Sequence, residues 1–289
     1  MNIIFQISGG LGKCVMATAV CKAIKTKHPK AKLIVVSAYP EVFLNNKEVH
    51  RSFAFNGLSY FYDEYIDGKD FKIFANDPYL ETAHIQQNEH LIKTWCEMFD
   101  LKYNGELPNI NLTDREIQYF SNKFQSNKPI LLLQTNGGAQ TEHKYSWARD
   151  IPSSTVIEII NHFKNDYNIV HIKREDQIGY ADTTPVSDTF RGLCVLIQQS
   201  TKRLLIDSFA QHVASALEMP SSVCWIANSP KVFGYELHDN ILANKFNNSP
   251  ELKNSYLSKF NITGDILEFP YNSENDVFDT KSIIESLSK

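Results

Sequence analysis

Five residues near the amino terminus, Gly9-Gly10-Leu11-Gly12-Lys13, have the types and spacing to hold an anion. They follow the apolar run Ile3-Ile4-Phe5-Gln6-Ile7 and open a periodic one, Val15, Met16, Ala19, Val20, Ala23 and Ile24. This is the pattern of a glycine-rich turn from a first strand into a first helix, where backbone amides and the positive helix end face a ligand. Gly10 and Gly12 admit a phosphate or sugar that a side chain would block. Cys14 and Val15 follow Lys13, so the run is neither a G-x-G-x-x-G fingerprint nor a P-loop.

Comparable turns recur. Thr135-Asn136-Gly137-Gly138 follows the apolar run that ends at Gln134, and Lys144 and Arg149 put positive charge in the loop beyond, with Trp147 as its packing anchor. Asp207-Ser208 follows Arg203-Leu204-Leu205-Ile206 and opens a helix bearing Gln211 and His212. Ser208 can cap that helix or meet a diphosphate beside its free amides. Asp207 can orient a sugar hydroxyl or the loop, and His212 can bond a phosphate or brace Asp207. Arg174 and Glu175 leave a strand at 169–172, where they can contact ribose, phosphate or each other. The histidines are dispersed and no H-E-x-x-H or cysteine cluster occurs, so metal-independent chemistry is expected. No G-x-S-x-G elbow supports a serine hydrolase.

Strand and helix patterns alternate through both halves of the chain, the mark of parallel α/β domains. Such sheets bind ligands beyond the carboxyl ends of their strands, which gathers all these turns on one side. The 289 residues suit two domains, 1–125 and 126–289, with the boundary in 120–128 and a common cleft between them. Residues 84–99 read as one helix. Residues 53–79 read as short strands and loops of undetermined order, their aromatics serving the core before any sugar. A terminal helix is expected around Ile283, Ile284 and Leu287, and packing back onto the first domain is one place open to it.

Lys plus Arg number 29 against 33 Asp plus Glu, a net charge of −4, which gives no broad reason to bind nucleic acid. The five cysteines are spread out with no C-x-x-C, as in a reduced, cytoplasmic chain. No apolar run approaches the roughly 20 residues of a membrane span. The basic stretch 22–32 reads first as the solvated face of the opening helix and second as a peripheral membrane contact.

Three segments together resemble a two-domain GT-B glycosyltransferase, most specifically the ADP-heptose lipopolysaccharide heptosyltransferase family. They are Gly10-Leu11-Gly12 with Thr18-Ala19 and His28-Pro29, residues 134–139 with Lys144 and Trp147, and residues 205–217 with Pro220. The resemblance implies two Rossmann-like α/β/α domains facing a central cleft, the first holding the acceptor and the second a nucleotide-diphosphate sugar. It implies inverting hexosyl or heptosyl transfer, without a metal or tightly bound cofactor, to an acceptor left open among glycan, glycolipid, protein and modified nucleic-acid base, with a glycan or glycolipid first. ADP, GDP and UDP all stay open as the nucleotide. Donor-site candidates are Gly10, Gly12, Thr135, Asn136, Gly137, Lys144, Arg174, Glu175, Asp207, Ser208 and His212. Lys13 departs from the family, which usually carries an acceptor-activating aspartate there. Lys13 or Lys144 would then hold anionic groups while Asp63, Glu64 or Asp77 supplies the base. Two other readings are an inactive nucleotide-sugar or glycan binding protein and a sugar-nucleotide epimerase.

Overall fold

The computed structural model describes residues 1–137, 147–246 and 269–289. Gly138 and Lys144 lie outside the described residues. Strand β1 (Asn2–Ile7), helix α1 (Leu11–Lys27) and strand β2 (Lys32–Ser37) form a βαβ start to a parallel sheet. β3 (Arg51–Ala54) extends it beside β2, and after the short helix α2 (Phe61–Tyr65) the chain returns on the far side of β1 as β4 (Phe71–Phe74). The strand order is therefore β3-β2-β1-β4.

Residues 84–99 are two helices, α3 (Thr82–Ile85) and α4 (Leu91–Met98), rather than the single one expected. Gln87 is left-handed with φ 53°, and residues 86–90 carry no apolar side chain to hold a continuous helix on the core. His90 restarts the helix by accepting from the Ile92 amide at 3.3 Å. Next comes α5 (Asp114–Lys123), opened by a reciprocal Thr113–Glu116 capping box.

The second sheet contains β5 (Ile130–Leu133), β6 (Asn168–Ile172), β7 (Thr184–Val186), β8 (Lys202–Ile206), β9 (Ser222–Trp225) and β10 (Asp239–Leu242). Its order is β10-β9-β8-β5-β6-β7, and every pairing is parallel. Helices α6 (Ser153–Phe163), α7 (Phe190–Gln199), α8 (Phe209–Ala216), α9 (Pro230–Phe233) and α10 (Thr280–Ser288) complete it.

Both faces of β5 are buried, as its unbroken apolar run requires. Ile130 and Leu132 point into a cluster that also takes Ile3, Phe5 and Ile7 of the first sheet. Leu131 and Leu133 point the other way, to Val156, Ile159 and Phe163 of α6. The first cluster thus runs through both halves, with α1 between its own sheet and α8. That position explains why α1 is buried on nearly every side from Lys13 to Cys21. Ile283 and Leu287 of α10 join the α6 side of the second sheet, so the terminal helix packs on β8, β9, β10 and α6. The first-domain packing left open for it is corrected: two apolar residues four apart give it one sticky face, and the open face of its own sheet is adjacent. All five cysteines are buried and unpaired. Among the described residues no helix is long and apolar enough to cross a membrane.

Candidate active site

Each sheet changes winding direction at one place. In the first it is β1, flanked by β2 and by β4; in the second it is the gap between β5 and β8. Loops leaving the carboxyl ends at such a switch diverge and leave a crevice. The two crevices face each other, and a cavity of about 460 Å³ lies between them. Its wall includes Gly10, Gly12, Lys13 and Tyr79 from the first half and Asn136, Gly137, Arg149, Arg174, Asp207, Ser208 and His212 from the second.

Two helix N-termini open onto this cavity. Gly10 is the N-cap of α1 and has no side chain to satisfy the first amides; no acidic residue stands in that turn. Ser208 is the N-cap of α8 yet makes no side-chain cap bond, and its hydroxyl accepts from Gln134 Nε2 at 3.2 Å. Of the roles open to Ser208, capping is therefore absent. The first amides of both helices stay available to an anion. The helices meet closely: a methyl group on Gly12 would lie 2.9 Å from His212 Cδ2 and 3.4 Å from the Phe209 Cα.

His212 is buried, its Nδ1 2.9 Å from the Tyr235 hydroxyl, and burial pushes its pKa down to about 3. Its ring is therefore neutral, so it can meet a phosphate as a hydrogen-bond donor and not as a cation. Asp207 is braced by the Asn228 side-chain amide.

Below the cavity, Thr135 turns its hydroxyl to His171 Nε2 (2.9 Å) and Asn136 Oδ1 (3.0 Å). Burial brings the His171 pKa down to about 4. Thr135 is thus a support for Asn136 rather than part of the wall. Gly137 donates its amide to Asp150 at 3.0 Å, and Arg149 packs against it with Nε buried and without a hydrogen-bond partner among the described residues.

Lys13 is 4% exposed and forms an ion pair with Asp77 at 2.6 Å. Arg174 faces the cavity and chelates Asp176, while its neighbour Glu175 is exposed and outside the wall. Asp63 is not brought to the cleft. Phe61 and Tyr65 fasten α2 to the sheet face opposite α1, which leaves Asp63 in solvent, and Glu64 reaches Arg51 at 3.8 Å. Among the described residues no three His, Cys, Asp or Glu side chains gather to hold a metal ion. Tyr79 and Asn228 were not singled out by sequence, and Gln134 entered only as the first residue of the 134–139 motif: Tyr79 reaches the cleft only because β4 lies beside β1.

No family model and no curated protein matches the sequence. Solved structures do match in shape. A glycosyl transferase family 9 protein from Veillonella parvula superposes with a TM-score of 0.69 at 12% identity, over 99% of this chain and 96% of its own. ADP-heptose lps heptosyltransferase II from E. coli gives 0.64 at 13%, over 90% and 98%. The fold is GT-B. The E. coli heptosyltransferase WaaC, solved with ADP, gives 0.59 at 12%, over 99% and 98%. In a GT-B frame the facing crevices are the cleft between the two sheets, and the likeness in fold runs over 90 to 99% of the chain.

Proposed function

We propose that this protein is an inverting, metal-independent glycosyltransferase that moves a hexosyl or heptosyl group from a nucleotide-diphosphate sugar to a glycan or glycolipid. One observation carries the reading: two uncapped helix N-termini from opposite halves converge on one cavity beside Lys13 and Arg149. Fixed amide dipoles and cations of this kind stabilise the charge that grows on a departing diphosphate, without needing a metal. Residues 126–289 would hold the donor: diphosphate at Ser208, the α8 amides and Arg149, sugar hydroxyls at Asp207 and Asn136, and ribose near Arg174. Residues 1–125 would present the acceptor. The reaction breaks the bond from anomeric carbon to phosphate oxygen and forms one to the acceptor oxygen from the opposite face.

WaaC was solved with ADP, and the iron-containing heptosyltransferase TibC, similar at a TM-score of 0.55 and 13% identity, with ADP-D-beta-D-heptose, which makes ADP-sugars the first donors to try. A second reading, a nucleotide-sugar binding protein, is favoured by the ion pair that occupies the acceptor side. The test is binding and nucleotide release measured together for ADP-, UDP-, GDP- and CMP-sugars. Selective binding of one class is expected, weakened about tenfold or more by Asp207→Ala. A protein that binds none of them is not a glycosyltransferase of this kind.

A further inference from the structure

Two side chains in the cavity wall each leave one polar atom unpaired. Gln134 and Asn136 are only 4% and 2% exposed, yet Gln134 Oε1 and Asn136 Nδ2 have no hydrogen-bond partner among the described residues. A buried polar atom without a partner is destabilising, and native interiors keep few of them. Two in the wall of one cavity point to a ligand that completes the bonding there.

The backbone brings both to the cavity. Gln134 continues β5 by donating its amide to the Leu204 carbonyl at 2.9 Å. From there side chains alternate: Gln134 and Asn136 line the cavity, while Thr135, 0% exposed, turns to the interior. Both amides are held in one orientation. Thr135 donates its single hydroxyl proton to Asn136 Oδ1, so it must accept from His171 Nε2, and Nδ2 is the free end of Asn136. Gln134 Nε2 donates to the Ser208 hydroxyl, and Oε1 is the free end of Gln134.

Those free ends are of opposite kind. A phosphate offers acceptors alone, which suit Asn136 Nδ2 and Arg149 Nε but set lone pairs against Gln134 Oε1 and the Asp207 carboxylate. A hydroxyl both donates and accepts. Residues two apart in extended chain are separated by roughly 7 Å, so one sugar ring can meet both side chains through two of its hydroxyls.

We infer that Gln134 and Asn136 read the transferred sugar, Gln134 Oε1 accepting from one of its hydroxyls and Asn136 Nδ2 donating to another. The inference rests on the proposed glycosyl transfer and deepens it: the donor carries a sugar with both hydroxyls free, and the deoxy form at either position binds poorly. Ser208, which touches Gln134, then marks the junction of sugar and diphosphate.

The full-length protein is titrated with ADP-heptose, ADP-glucose, UDP-glucose and GDP-mannose, and with ADP, UDP and GDP alone, reading Kd. One sugar form is expected to bind about tenfold or more tightly than its bare nucleotide, the gain of one or more satisfied hydrogen bonds. The near-isosteric variants Gln134→Met and Asn136→Leu are each expected to weaken that sugar form about tenfold and to change the bare nucleotide by less than about twofold. Monodeoxy forms of the same sugar close a double-mutant cycle. Removing the hydroxyl that faces Gln134 is expected to weaken wild-type binding about tenfold, after which Gln134→Met weakens it no further. A packing role for the two residues would move both Kd values together, and that result overturns the inference. So does a wild-type protein that binds every sugar form no more tightly than its nucleotide, although the nucleotide site then stands. Protein that binds neither nucleotides nor nucleotide-sugars overturns the transferase reading and this inference with it.

Discussion

At the scale of single residues, the site depends on which groups burial keeps neutral. His171 and His212 titrate near 4 and 3 because the interior disfavours their charged forms. Unfolding exposes them and restores a value near 6.5, so below that pH the unfolded chain binds more protons than the native one. Their contribution is complete above about pH 6.5 and is lost as pH falls toward 4, on the order of 3 kcal/mol apiece. The urea midpoint is therefore expected to drop between pH 6.5 and 4. A midpoint that holds level across that interval contradicts the neutral assignment. Sequence named both histidines' neighbourhoods but left the His212 charge open. A histidine beside an aspartate invites a phosphate contact, and only packing against Tyr235 shows that its Nδ1 is already engaged.

At the scale of elements, strand and helix positions were largely legible because their apolar periods are strong. The strand read at 169–172 and the terminal helix around Ile283 and Leu287 are where the pattern put them. Partners were less legible. α5 precedes the second sheet and falls within residues 1–125, yet its Glu116 pairs with Arg191 of α7 at 2.7 Å, and Phe120 fills the space beside Gly192. Arg191 holds the Glu116 carboxyl down at about 2 while its guanidinium is almost buried. Removing the acid leaves that cation short of its partner in a low-dielectric site. Glu116→Ala is expected to destabilise the protein by about 2 to 4 kcal/mol, measured by chemical denaturation, against about 1 kcal/mol for loss of the Thr113 cap alone. Equal losses from the two substitutions would mean that the pair adds nothing beyond the capping box.

At the scale of the whole molecule, the two sheets are joined by a continuous apolar cluster through α1, α4, α7 and α8. Side chains from both halves therefore lose their contacts together. A single cooperative unfolding transition is expected, with tryptophan fluorescence and far-ultraviolet circular dichroism coinciding in urea. Trp95 lies in the first half and Trp225 in the second, so each half carries a buried reporter. Two resolved transitions would instead show that the cluster does not couple the halves. The division at 125 is then a proposal about ancestry and ligand roles rather than about independent folding, and a fragment 1–125 is expected to expose the apolar side of α1 and aggregate.

The sequence by itself determined the α/β class, the strand-exit turns that carry the site, and the place of Lys13 in the first of them. Local propensity and glycine chemistry are written within a few residues of each turn. What it left open was which exits meet. The return of β4 beside β1 brings Tyr79 to the cleft and Asp77 to the Lys13 ammonium, and the reversal between β5 and β8 sets Gln134 against Ser208. Asp63 and Asp77 looked alike along the chain. They differ because one lies between two aromatic residues that pack on the far face of the sheet, and the other follows the carboxyl end of a strand. Strand order is settled by long-range packing, and no pattern within a few residues of either aspartate records it.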